Sequence, residues 1–119
     1  MTVYLRTKFS FSSFSEILVL FMIFFLTLLH FFSCIWIFMA RVKISFGDKN
    51  NWIDQTEAHD FSDFALYVTS SYFCITTITT VGYGDISGFS EVEKIFCIFL
   101  MVSGVLAFSF STSSLSQLL

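Results

Sequence analysis

Apolar and polar residues alternate along this chain in blocks rather than at helical or strand intervals. Residues 17–39 read ILVLFMIFFLTLLHFFSCIWIFM with no Asp, Glu, Lys or Arg. At about 1.5 Å per residue, such a run covers the ~30 Å hydrocarbon layer of a bilayer, which predicts an outer spanning helix over 17–39. Residues 40–63 mix Arg41, Lys43 and Lys49 with Asp48, Asp54, Glu57, Asp60 and Asp63 around a Gly47-Asp48 turn signal, the pattern of an aqueous loop. Residues 64–78, FALYVTSSYFCITTI, are too few to cross and too apolar for an ordinary loop. They predict a short re-entrant helix, with Ser62 as its N-cap and Asp63 in its first turn. Residues 79–85, TTVGYGD, carry two alternating glycines that oppose a helix and admit left-handed angles. The last run, 92–118, carries the apolar IFCIFLMV near its start, at 95–102, and becomes rich in Ser, Thr and Gln after Phe108. It predicts a second spanning helix with one wet face at its far end.

Composition strengthens the membrane reading. The 119 residues are 55% hydrophobic and only 13% charged, contain no proline, and have a mean hydropathy of +0.80. Few soluble domains combine these features. The net charge of -3 and the absence of a basic aromatic patch exclude a nucleic-acid binder. Cys34, Cys74 and Cys97 sit singly in apolar stretches without CxxC spacing, so neither a disulfide framework nor a zinc site is expected. No Ser-His-Asp set, acidic pair or metal-ligand cluster can be assembled, which argues against an enzyme. No cofactor is expected. Irregular backbone at membrane depth is tolerated only where protein buries it or water lines it, so residues 79–85 point to a conduction path. One unit of helix, loop, hairpin and helix cannot enclose a pore alone.

Thr80, Val81, Gly82, Tyr83 and Gly84 spell TVGYG. Set between a re-entrant helix and a second spanning helix, this string resembles the selectivity filter of the tetrameric potassium channels. The bland alternatives are a tight turn or a degenerate phosphate loop, although Gly88 is misplaced for GxGxxG. The resemblance implies that the carbonyls of Thr80, Val81, Gly82 and Tyr83, with the Thr80 hydroxyl, bind K+ as permeant ion. It places Gly84 and Asp85 at the outer mouth, and Thr79, Asp85, Tyr72 and Phe73 in support of the filter. Many family members carry a tryptophan pair where Tyr72 and Phe73 stand, and some bacterial members carry a glutamate where Thr76 stands. Gly104 lies where the inner-helix glycine of the family is expected, and reads as a hinge or as a close packing contact. Gly104, Phe108, Thr112 and Ser116 recur every four residues on one stripe, which makes Phe108 and Thr112 cavity-lining, with lipid contact the rival for Phe108.

His30, Cys34 and Trp36 form an HxxxCxW pattern that resembles the ether-a-go-go and cyclic-nucleotide-binding-domain branch of voltage-gated-type channels. Helix packing explains this trio more simply than a metal. The implied fold class is an all-α membrane protein with two transmembrane helices, a re-entrant pore helix and a filter loop, assembling as a tetramer. Its partners would be three further pore subunits and the lipid bilayer, in the plasma membrane with both termini cytoplasmic. Residues 1–16 read as a cytoplasmic N-terminal segment and 17–119 as the pore domain. The suspected branch carries voltage-sensor helices before this region and a cyclic-nucleotide-binding region after it. Those become partners if the chain is a piece, and residues 5–16 then resemble a sensor-to-pore linker. The expected function is passive, K+-selective conduction; a non-conducting or regulatory pore fragment that joins longer subunits is the alternative.

Overall fold

The computed structural model describes the backbone of residues 2–118 and the side chains of residues 14–117. Helix α1 spans Thr2–Ser45, α2 is a single turn at Trp52–Gln55, and a 3-10 turn covers Ala58–Asp60. Helix α3 spans Asp63–Ile78 and α4 spans Glu91–Leu118, with no strand among the described residues. Two of these helices, over Phe14–Ser45 and Glu91–Gln117, are long and apolar enough to cross a membrane. The fold is thus all-α with two transmembrane helices and a short third helix between them.

The first helix departs from the expected bounds. A spanning helix was expected over 17–39, with 1–16 separate and 40–63 as loop, whereas α1 is one 44-residue helix through all of 2–45. No glycine or proline occurs before Gly47, so nothing in the backbone interrupts the helix at either end of the apolar run. The side chains of residues 1–13, where most of the proposed linker lies, are outside the described residues. At about 1.5 Å per residue, α1 accounts for a length near 66 Å, and the molecule's longest dimension is 69 Å.

Gly47 ends α1 with φ of +78°. Its N–H donates to Ile44 O at 3.0 Å, and the Asp48 N–H donates to Lys43 O at 3.0 Å. This paired closure satisfies carbonyls of the last turn, and glycine adopts the left-handed angle without a Cβ penalty. The two shorter helices are capped from within the loop. Asn51 accepts from the Asp54 N–H at 2.9 Å to start α2, and Ser62 accepts from the Ala65 N–H at 3.2 Å to start α3.

An aromatic cluster joins all four helices. Trp36 of α1 stacks on Phe73 of α3 at 4.3 Å, and on Trp52 of α2 and Phe96 of α4 at 5.7 Å each. Each such pair adds about 0.5–1.5 kcal/mol beyond the area it buries. Hydroxyls stitch α1 to α3: Ser70 Oγ donates to Ser33 O at 2.9 Å, and His30 Nδ1 meets Tyr67 OH at 2.7 Å. Small and polar side chains at a helix contact suit lipid, where area burial gives no drive for helices to associate. The outward faces of α1 and α4 carry Leu20, Phe24, Phe31, Ile95, Phe99 and Leu106 exposed. A contiguous apolar exterior of that extent belongs in a bilayer.

Candidate functional site

The site is the segment that leaves the C-terminus of α3. Helix α3 cannot continue past Ile78 because Thr79 and Thr80 close its last turn: the Thr79 N–H donates to Ile75 O at 3.0 Å and the Thr80 N–H to Thr77 O at 3.2 Å. The Thr79 hydroxyl donates to the same Ile75 carbonyl at 2.6 Å. The next two amides turn back on the helix, with Val81 N–H and Gly82 N–H both donating to Thr76 O, at 2.9 and 3.1 Å. One carbonyl of the pore helix therefore holds the start of the loop.

Beyond that point the backbone alternates in hand. Thr80 has φ of +65°, Gly82 of +56° and Gly84 of +80°, while Val81 and Tyr83 are not among the positive-φ residues. Alternating hand turns successive peptide planes so that their carbonyls lie on one side of the chain, the counterpart of the amide concavities formed by the same alternation. Among the described residues, no donor is hydrogen-bonded to any carbonyl of residues 79–84. All six residues are exposed in the single chain, so their carbonyls are open to water or to a cation. Glycine takes the left-handed angle freely at 82 and 84. At Thr80 a β-branched residue holds it at a cost of about 1–3 kcal/mol.

The expected supporting residues divide in two. Tyr72 is brought to the loop, its ring stacked on Tyr83 with centroids 6.4 Å apart and planes within 6°. The Asp85 carboxylate approaches the Tyr72 hydroxyl and also accepts from its own neighbour, the Ile86 N–H, at 3.1 Å. Phe73 is not brought to the loop: it is buried against Trp36 on another face of α3. Adjacent residues on a helix point about 100° apart, so a pair at 72 and 73 cannot both face one neighbour.

On α4, Gly104 is buried against the end of α3, and an added Cβ would meet the Ile78 backbone. One and two turns further on the same stripe, Phe108 and Thr112 are exposed, Phe108 at 72%. The α1-facing positions are different ones, Ser103, Ala107 and Ser111, which line an apolar groove of about 700 Å³ with Phe21, Phe24 and Leu28. Of the HxxxCxW residues, Trp36 centres the core, His30 bonds Tyr67, and Cys34 Sγ lies 3.7 Å from His30 Nε2. Among the described residues no group of three metal-ligating side chains occurs.

The polar loop is partly self-neutralised. Arg41 pairs with Asp63 at 3.1 Å, Lys43 with Asp48 at 3.2 Å, and His59 meets Asp54. The Asn50 N–H and then Lys43 hold the Asp48 carboxyl below its ordinary value. Glu57, Asp60 and Asp85 make no ion pair among the described residues.

Sequence reasoning missed a buried carboxylate at the start of α4. Glu93 is fully buried, with Oε2 accepting from the Trp52 N–H at 3.1 Å and Oε1 from Ser90 Oγ at 3.0 Å. The Glu93 N–H in turn donates to Ser90 Oγ at 3.2 Å. A signal was available: Ser90-Glu-Val-Glu93 just before an apolar run has the S-x-x-E spacing of a helix-start capping box.

Known proteins resemble the chain over most of its length. A profile described as "ion channel" matches residues 3–119. The chain is 28% identical over 110 residues to the potassium voltage-gated channel unc-103 of Caenorhabditis elegans, covering 80% of this chain and 13% of that protein. It is 31% identical over 108 residues to the voltage-gated inwardly rectifying potassium channel KCNH7 of Mus musculus, covering 80% and 9% respectively. With the potassium voltage-gated channel protein eag of Drosophila melanogaster it shares 24% over 114 residues, covering 80% and 10%. The chain thus spans 9 to 13% of the length of these relatives. With two spanning helices, a short helix stopping at an irregular loop, and a profile match reaching from residue 3 to 119, the chain belongs to the ion-channel family.

Proposed function

We propose that this chain is one subunit of a tetrameric, K+-selective pore in which four copies of residues 79–85 face a common axis. The observation that carries the proposal is the alternating backbone hand at Thr80, Gly82 and Gly84, in a segment whose carbonyls accept no hydrogen bond among the described residues. A potassium ion leaves water only if its hydration oxygens are replaced at nearly equal free energy, and rings of backbone carbonyls provide oxygens without fixed charge. Thr80, Val81, Gly82 and Tyr83 supply those carbonyls, Thr80 adds its hydroxyl, and Gly84 and Asp85 form the outer mouth. No bond is made or broken; conduction is passive.

The surroundings support the same reading. The carboxyl end of α3 carries about half a negative charge and ends where the loop begins, which favours a cation below the filter. Val81 and Tyr83 are 53% and 71% exposed in the single chain, an exposure that neighbouring subunits would remove. Phe108 and Thr112 fall below the α3 end on the stripe of Gly104 and line the cavity. The relatives' names, voltage-gated potassium channels, support this reading, to which the proposal adds a plasma membrane, cytoplasmic termini, and sensor and nucleotide-binding regions contributed by further sequence.

Reconstitution of the full chain into liposomes tests the proposal. Potassium and rubidium should exchange much faster than sodium, and barium, an ion of similar size but double charge, should block. Equal sodium and potassium permeability, or no flux above empty liposomes, would overturn it.

A further inference from the structure

Glu93 is a carboxylate with 0% exposure, set in the first turn of a membrane helix. No Lys, Arg or His pairs with it among the described residues. Burying such a group is costly, and an apolar residue of similar volume would cost less. What the carboxylate obtains instead is two hydrogen bonds, one of them to a backbone N–H 41 positions earlier in the chain.

That N–H belongs to Trp52, which is gripped at both ends. Its indole Nε1 donates to Trp36 O at 3.1 Å, and its ring stacks on that of Trp36, which stacks on Phe73 of α3. A continuous path thus runs from Glu93 through Trp52 and Trp36 to the helix whose C-terminus starts the filter. The other end of the filter leads to the same residue. Gly88 passes so close that an added Cβ would lie 3.1 Å from the Glu93 carbonyl carbon, and Ser90 bonds the carboxylate directly. Segment 85–90 also meets α3 through the Asp85 carboxylate at Tyr72 and α4 through the Gly88 backbone at Cys97, but only its bond at Ser90 leads through the Glu93 carboxylate to α2.

We propose that Glu93 is a positioning residue for conduction: its carboxylate ties α2 to the start of α4 and thereby holds the outer end of the filter in register with the pore helix. The proposal rests on the filter reading above. Reach matters rather than charge, because both bonds are accepted by the carboxylate oxygens. Glutamine can keep the acceptor for Trp52 and turn its amide N–H toward Ser90 Oγ. Aspartate keeps the charge but withdraws it by about 1.5 Å, the length of one C–C bond.

The test compares Glu93→Gln, Glu93→Asp and Glu93→Ala in the full chain in liposomes, with two readouts. The chain has only two tryptophans, Trp36 and Trp52, so quenching of their fluorescence by aqueous iodide reports the tether with no need for conduction. The second readout is the potassium-to-sodium flux ratio. Glu93→Gln should match the parent in both. Glu93→Asp and Glu93→Ala should expose the tryptophans to iodide and lower the flux ratio by up to about tenfold, what the loss of one hydrogen bond can cause. Parent-like quenching and flux ratio in Glu93→Asp would overturn the proposal. So would a Glu93→Gln variant as impaired as Glu93→Ala, which would make charge the essential property. If Glu93→Asp and Glu93→Ala fail to assemble, Glu93 serves folding at large and the proposal falls. If the parent passes no potassium, the filter reading fails, and with it conduction as Glu93's purpose, while quenching still shows whether the tether exists.

Discussion

An ideal Cβ on Gly104 would fall 2.7 Å from the Ile78 carbonyl oxygen and 2.9 Å from its Cα. Real Cβ atoms do not approach backbone so closely, and neither helix end is a flexible side chain that could yield. The inner helix touches the pore helix at the residue before the filter turn, and only glycine permits that distance. Helix α4 is continuous through this point, and close packing by itself gives a reason for the glycine.

Gly104→Ala is therefore expected to push α3 and α4 apart rather than only stiffen α4. Overpacking of this kind costs about 1–3 kcal/mol per subunit. The thermal midpoint of the detergent-purified assembly should fall, and the potassium-to-sodium flux ratio should fall with it. A pure hinge would leave selectivity intact and alter only open probability in single-channel recordings.

Gly82→Ala and Gly84→Ala should each abolish selective conduction. Apart from the chain neighbours, no atom among the described residues lies within 4 Å of a Cβ at either position, so the defect would come from backbone angle rather than collision within the chain. The left-handed region costs an alanine roughly 1–2 kcal/mol, and relaxation toward negative φ would turn a carbonyl off the row. Retained potassium selectivity in both variants, measured by liposome flux, would contradict the carbonyl mechanism.

Charge focusing by the loop should come from acids that are not already paired. Neutralising Glu57 and Asp60 together should lower potassium flux at ~10 mM salt and leave it nearly unchanged at 1 M, where the Debye length is about 3 Å. A loss that persists at 1 M would mean structural damage.

Asp48 carries a pH dependence with a definite sign. Its folded-state carboxyl is held below its ordinary value by the Asn50 N–H and then by Lys43. The contribution is fully present above the ordinary carboxylate range and is lost as pH falls through the lowered value. Asp48→Asn should therefore lower the thermal midpoint by a constant amount at neutral pH, with the difference from the parent shrinking below about pH 4. A difference that grows on acidification would refute the assignment.

Block-wise hydropathy was enough to locate two spanning helices and a short helix that cannot span, because lipid demands unbroken apolar length and satisfied backbone. Ser62 was legible as an N-cap, and the two alternating glycines as irregular backbone, because both follow from local stereochemistry. The length of α1 was not legible from the apolar run: helix bounds depend on where the backbone is broken, and Gly47 breaks it well past residue 39.

Tertiary structure decided the rest. That Tyr72 faces the filter while Phe73 faces Trp36 depends on the rotation of α3 about its axis, which neighbouring helices set. The left-handed angle at Thr80, a β-branched residue that local preference would not place there, is held by amides of Val81 and Gly82 converging on one carbonyl of α3. The tether from Glu93 to Trp52 joins residues 41 apart, and no local pattern encodes which backbone N–H a buried carboxylate will meet. The sequence by itself determined which helices can cross the membrane and which backbone departs from a helix between them. How those segments are clamped around one another was settled only by packing, since long-range contacts depend on the relative placement of helices that hydropathy alone leaves free.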